Sequence, residues 1–127
     1  MASPTDRKYS ESHEWHKLDG DVLTLGITQF AANELTDITY VDINESGTEI
    51  EADSSVGEIE SVKATGDVNC AVAGEIIEVN EKLQNDPGLV NRDPFGEGWL
   101  CKIRVSDASG LDGLMDGATY DEKYPLG

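Results

Sequence analysis

The chain has 127 residues, 38% hydrophobic and 28% charged, enough for one domain with a modest core and too few for a second. No run approaches the roughly 18 apolar residues of a membrane span, and the amino end lacks both the apolar stretch of a secretory signal and the arginine-rich character of a transit peptide. With 26 acids against nine Lys and Arg the formal net charge is −17, which argues against nucleic acid and anionic membranes as partners and predicts partners with basic patches. The same acidity also suits plain solubility or a high-salt habitat.

Residues 1–7 are expected to form a flexible tail before a single domain over 8–127. Residues 14–18 and 22–27 read as strands flanking Asp19-Gly20, the strongest short hairpin signal in the chain. Thr28 is placed to cap a short helix through Leu35, with Ala31, Ala32 and Leu35 on one face and Phe30 adding to it. Residues 39–43 alternate, Tyr40 and Asp42 opposite Val41 and Ile43, and the turn residues of 44–47 end that strand.

The next segment concentrates the chemistry. Val56, Glu58, Glu60 and Val62 alternate with Gly57, Ile59 and Ser61, then Val68, Cys70 and Val72 alternate with Asn69 and Ala71. Period two on both sides, with Gly66 lending turn permissiveness, predicts a hairpin with Lys63 at its tip. Lys63 is the only basic residue between Lys17 and Lys82. A lone amine held clear of the core suits a covalent carrier, although on the pattern alone a solvated surface lysine whose ion pairs are worth about 0–1 kcal/mol is the commoner case.

Residues 74–79 read as a further strand, and 84–98, with Pro87, Gly88, Pro94, Gly96 and Gly98, as an ordered surface loop or two turns. Residues 99–105 return as a strand with Trp99, Cys101, Ile103 and Val105 inward and Lys102 and Arg104 outward. Trp15 and Trp99 are expected as core anchors. Leu111, Leu114 and Met115 share a helical face, and Asp116 is placed to cap a last turn through Tyr124. Cys70 and Cys101 show no paired spacing and no histidine cluster, which predicts buried reduced thiols and no metal site. Many short strands with small helices at the edges predict a mainly β sandwich or flattened barrel.

Glu60-Ser61-Val62-Lys63-Ala64 resembles the lipoyl-attachment motif of the glycine cleavage system H-protein family. Ser12-His13-Glu14-Trp15, Gly26-Ile27-Thr28, the run Val72 through Asn80, and the run Leu89 through Trp99 match that family in order and spacing, so the likeness covers about residues 8–124. It implies a lipoyl-domain-like barrel-sandwich hybrid with short peripheral and C-terminal helices. It also implies lipoate on Lys63, with Glu60, Ser61, Val62 and Ala64 read by the lipoate-attaching enzymes. In the implied cycle the P-protein glycine decarboxylase loads an aminomethyl group, the T-protein aminomethyltransferase removes it, and the L-protein dihydrolipoamide dehydrogenase reoxidises the arm.

By the same resemblance Ser12, Glu14 and Asp67 form the cleft that receives the loaded arm, the two acids holding its ammonium; residue chemistry alone leaves them as ordinary rim acids. The chain would then be a monomeric carrier and not an enzyme, cytoplasmic in a bacterium or in the mitochondrial matrix as a mature organellar form. A lipoyl relay or a carrier in another pathway is the alternative. His13 is expected as exposed or packed filler, and Asn91, Asp93 and Glu97 as internal hydrogen-bonding residues. Two departures from the family pattern stand out. Gly66 replaces a small polar residue, and Ala71 stands where a proline is common, both loosening the hairpin.

Overall fold

Among the described residues, 4–124, the computed structural model contains nine strands in two sheets, with short helices at the periphery. A six-stranded sheet has the order β1 (Lys8–Tyr9), β2 (Glu14–Asp19), β3 (Val22–Ile27), β9 (Cys101–Asp107), β8 (Ala73–Val79), β5 (Glu49–Ile50). A three-stranded sheet has the order β4 (Ile38–Ile43), β6 (Ser54–Ser61), β7 (Thr65–Cys70). Every pairing is antiparallel. One apolar core lies between the sheets, drawing Leu23 and Leu25 from β3, Val41 from β4, Ile59 from β6, Val68 from β7, Ile76 from β8 and Ile103 from β9. This is the expected mainly β architecture.

Local chemistry sets several boundaries as anticipated. The β2–β3 hairpin closes with Asp19 opposite Val22, and Gly20 takes φ 67° at the first loop position, where an L side chain would be strained. Helix α1 (Gln29–Leu35) starts at Thr28, whose Oγ1 accepts the Ala31 N–H at 3.2 Å, and it buries Ala32. Helix α4 (Gly117–Lys123) starts at Asp116, whose carboxylate accepts the Thr119 N–H at 2.8 Å. Phe30 turns away from the main core and joins Tyr9, Trp15, Tyr120 and Tyr124 in a second, aromatic cluster that gathers both ends of the domain. Of the expected tail, residues 1–3 lie outside the described residues. Arg7 stacks over the Trp15 ring at 4.5 Å and donates to the Phe95 carbonyl at 2.9 Å.

Elsewhere packing overrides pattern. In β6 the register shifts between Ser55 and Gly57, so Val56 is an extra residue and both Val56 and Ile59 point into the core. Strict alternation would have put Val56 with Glu58. The 84–98 segment is not a loop alone, because α2 (Lys82–Asn85) and α3 (Leu89–Arg92) are single helical turns that bury Leu83 and Val90. Leu100 is fully buried while Trp99 is only partly so, with Lys102 Nζ 5.1 Å from its ring centroid, which makes Leu100 the anchor. Residues 108–113 form a 3-10 turn, Leu114 is extended, and Met115 bridges to Tyr9, so the expected helical face at 111–115 does not form.

Gly26 lies opposite Trp15 in the β2–β3 ladder, and a Cβ there would come within 2.5 Å of the indole. The ring cannot yield, since it is buried, donates to the Pro94 carbonyl at 2.9 Å and is covered by Arg7. Gly26→Ala should therefore cost about 1–3 kcal/mol, seen as a lower urea midpoint at unchanged slope.

Candidate functional site

Lys63 sits at the tip joining β6 to β7, and Ser61 makes that tip rigid. Its Oγ accepts the N–H groups of Lys63 at 3.2 Å and Ala64 at 3.0 Å, while its own N–H donates to the Ala64 carbonyl at 2.8 Å. Gly66 is no part of the turn: it is a paired β7 residue opposite Ile59, without positive φ, and an added Cβ would meet only Leu35 at 3.8 Å. Side-chain hydrogen bonding does the work expected of glycine freedom. Val62, Lys63 and Ala64 are exposed, Val62 at 69%. The tip leans on the end of α1, where the Val62 N–H donates to the Asp37 carbonyl at 3.1 Å and Lys63 Nζ to the Glu34 carbonyl at 3.4 Å. That carbonyl belongs to the last helical turn, which lacks intrahelical donors and favours a cation.

The exposed face beside the tip carries a row of like charges. Asp42 pairs with Glu58 and Glu58 with Asp67, so three exposed carboxylates stand directly across three strands. Such pairs destabilise a sheet. Glu60, next to this row, lies between Tyr40 and Thr65.

Glu14 is different: it is 1% exposed, on the first residue of β2, aimed at the edge of β7. Its Oε1 accepts from Ser10 Oγ at 2.6 Å and from Ser12 Oγ, and its Oε2 accepts the Asn69 N–H at 3.0 Å. A carboxylate offers about four acceptor positions, so the remaining one is on Oε2, beside β7. Burial raises the Glu14 pKa against the lowering pull of those hydrogen bonds. The structure thus joins Ser12 to Glu14. Asp67 is exposed, two residues from Asn69 along β7, and no hydrogen bond or ion pair reaches its carboxylate among the described residues.

His16, two residues beyond Glu14, is also 1% exposed, and its Nε2 accepts the Ala71 N–H at 3.1 Å. A proline at 71 would have no such N–H. The expected loosening at Ala71 is therefore met by a replacement bond. Neither Ser10 nor His16 stood out in the sequence. Ser10 lies outside any motif, and His16 looks like one more residue of a strand. His13 has φ 73°, shares a 2.8 Å hydrogen bond with the Tyr120 hydroxyl and packs on Phe30 and Tyr124, so it is packed filler. Asn91 takes the Ile38 N–H at 2.9 Å and donates to the Thr36 carbonyl at 2.6 Å, Asp93 takes the Glu97 N–H at 3.0 Å, and Glu97 pairs with Lys82 at 2.5 Å. All three hold the chain to itself.

With that geometry in view, the chain matches the family model described as Glycine cleavage H-protein over residues 7–125. It is 43% identical over 118 residues to the glycine cleavage system H protein of Symbiobacterium thermophilum, covering 93% of this chain and 92% of that one. It is 46% identical over 113 residues to the mitochondrial glycine cleavage system H protein of Oryza sativa subsp. indica, covering 89% of this chain and 69% of the other. The crystal structure of a glycine cleavage system H protein from Mycobacterium marinum superposes with a TM-score of 0.89 at 32% identity, covering 98% of this chain and 100% of that one.

The two buried groups of β2 respond to pH in opposite senses. Burial lowers the His16 pKa from the usual 6.5 to about 4, so the unfolded chain binds a proton that the folded chain refuses. Its contribution is intact above pH 6.5 and is lost as pH falls toward about 4. Glu14, raised, contributes stability at low pH that is lost as pH rises through its folded value. In His16→Leu the imidazole part should vanish, leaving a shallower loss of unfolding free energy between pH 6.5 and 4, by on the order of 3 kcal/mol at most. Denaturant melts of both proteins across that range isolate it, because Glu14 is common to the two.

Proposed function

We propose that this chain, which belongs to the glycine cleavage H-protein family, is the lipoyl-bearing shuttle of the glycine cleavage system. It carries an aminomethyl group from the P-protein to the T-protein on an arm at Lys63 and is then reoxidised by the L-protein. The observation that carries the reading is the Ser61-closed tip: a single exposed amine on a rigid turn, within the sequence Glu60-Ser61-Val62-Lys63-Ala64. Its residues fit lipoate, since a modifying enzyme can reach Nζ and the flanking Val62 and Ala64 side chains without unfolding anything. Bound there, lipoate would supply a strained disulfide that accepts a carbon nucleophile and yields a thiol.

The chain's own contribution is position and shelter. Acylating Nζ removes its charge and with it the attraction to the α1 terminus, so the arm is free to leave the Glu34 carbonyl. Asp67 lies four residues from Lys63 along the hairpin, about 13 Å of extended chain, and Glu14 stands behind it across the β7 edge. A protonated amine arriving there would meet the open Oε2 position of Glu14 and the carboxylate of Asp67. Pairing is worth more at Glu14 because burial lowers the local dielectric: about 4 kcal/mol at an effective value near 20, against about 1 in water. Holding the amine protonated keeps its lone pair from expelling the thiolate. The row Asp42, Glu58, Asp67 supports docking onto basic rims of the partner enzymes, an encounter weakened by salt. In this reading the chain is a carrier and the partners are the enzymes. A cytoplasmic setting in a bacterium, or the matrix in an organelle, agrees with relatives from both.

Protein from its native host should show a lipoyl mass increment, absent in Lys63→Ala, and should gain the one-carbon amine on incubation with P-protein and glycine. An increment without loading would make it a relay, and no increment would refute the carrier reading. Separately, Glu14→Gln should shorten the lifetime of the loaded form about fivefold or more, followed as ammonia and formaldehyde release. Asp67→Asn, at an exposed site, should do less.

A further inference from the structure

Glu14 and His16 occupy alternate positions of β2 and both point to the edge of β7, where they take the N–H groups of Asn69 at 3.0 Å and Ala71 at 3.1 Å. Both bonds span 55 positions of sequence, so the two side chains form successive rungs of one ladder. β7 is the outer strand of its sheet, and its outward N–H groups have no neighbouring strand to bond. The side chains of β2 replace that missing strand. Continued one step, the same offset sets Ser12 against Asp67, but His13 with φ 73° breaks the strand there and Ser12 folds back onto Glu14. The ladder therefore ends at Glu14, with Asp67 the next alternate residue of β7 beyond its last rung.

His16 is costly in this place. To accept at Nε2 the neutral ring must carry its proton on Nδ1, and Nδ1 has no hydrogen-bond partner among the described residues. Burial keeps the ring neutral and so keeps Nε2 an acceptor. A leucine would fill the space without a buried polar atom but would orphan the Ala71 N–H instead.

We propose that His16 is a positioning residue for the Ser12, Glu14 and Asp67 cleft: by holding the Ala71 N–H it sets the height of β7 against β2, and so the distance of Asp67 from the open oxygen of Glu14. This rests on reading those three residues as the place that receives the loaded arm. His16 itself touches neither the arm nor its cargo. Loss of this rung leaves Glu14 alone to hold the β7 edge at Asn69, so that bond opens more often and the cleft loosens without losing any of its groups.

The test uses the lipoylated full chain, with amide exchange at Asn69 as a structural readout and the lifetime of the loaded form as a functional one. His16→Leu should speed exchange at Asn69 about tenfold and shorten the loaded lifetime by a similar factor, with the initial loading rate unchanged. His16→Gln, whose amide oxygen can take the Ala71 N–H, should restore both. Where His16→Leu does not fold, His16→Leu with Ala71→Pro removes both orphan groups, and Cys70, extended, suits a following proline. That pair should melt normally yet show a loaded lifetime shorter than that of the unsubstituted chain and equal to that of Ala71→Pro alone, since both lack the rung. An unchanged lifetime in the His16 variants, with Glu14→Gln still harmful, overturns the proposal and leaves the cleft reading standing. No effect of Glu14→Gln either removes the cleft reading, and the proposal with it.

Discussion

The arrangement depends on how the free edge of β7 is satisfied. No strand of the sheet lies beyond β7, and an open edge leaves donors without acceptors. Two buried polar side chains of β2, Glu14 and His16, close part of that edge from another sheet. They are held in place because the ladder from β2 through β3 to β9 is continuous and its inner face packs into the common core. The hydrogen bonds each receives offset only part of the cost of burying a carboxylate and an imidazole.

That solution links the ends of the chain to its chemistry. Trp15, between Glu14 and His16, faces the other way, into the aromatic cluster with Tyr9 and Tyr120. Thr28 Oγ1 both caps α1 and shares a 2.7 Å hydrogen bond with the Tyr120 hydroxyl, so the C-terminal helix helps seat the helix on which the Lys63 tip rests. The carboxylate face of β4, β6 and β7 has the reverse character. Its like-charge pairs cost some sheet stability, which agrees with the proposed docking of oppositely charged partners.

Much of this is legible in the sequence. The β2–β3 hairpin, the caps at Thr28 and Asp116, the buried thiols and the exposed lysine all follow from short-range rules, because turn geometry, capping and alternation involve residues a few positions apart. The Val56 bulge was not legible, since an extra residue in a strand leaves the composition unchanged and only the partner strand exposes it. Leu100 and Trp99 exchanged roles for a similar reason. The tryptophan is the larger apolar group, but the depth of each side chain is decided by where β9 begins.

The sequence by itself determined the mainly β character, the hairpin and the identity of its lysine, since each rests on local periodicity or on a contiguous motif. Only the tertiary structure decided that Ser61 rather than Gly66 makes the tip, that Ser10 joins Ser12 on Glu14, and that His16 answers the N–H of Ala71. The last of these bonds spans 55 positions between two sheets, and a pairing at that range is set by how the sheets stack, which no local pattern encodes.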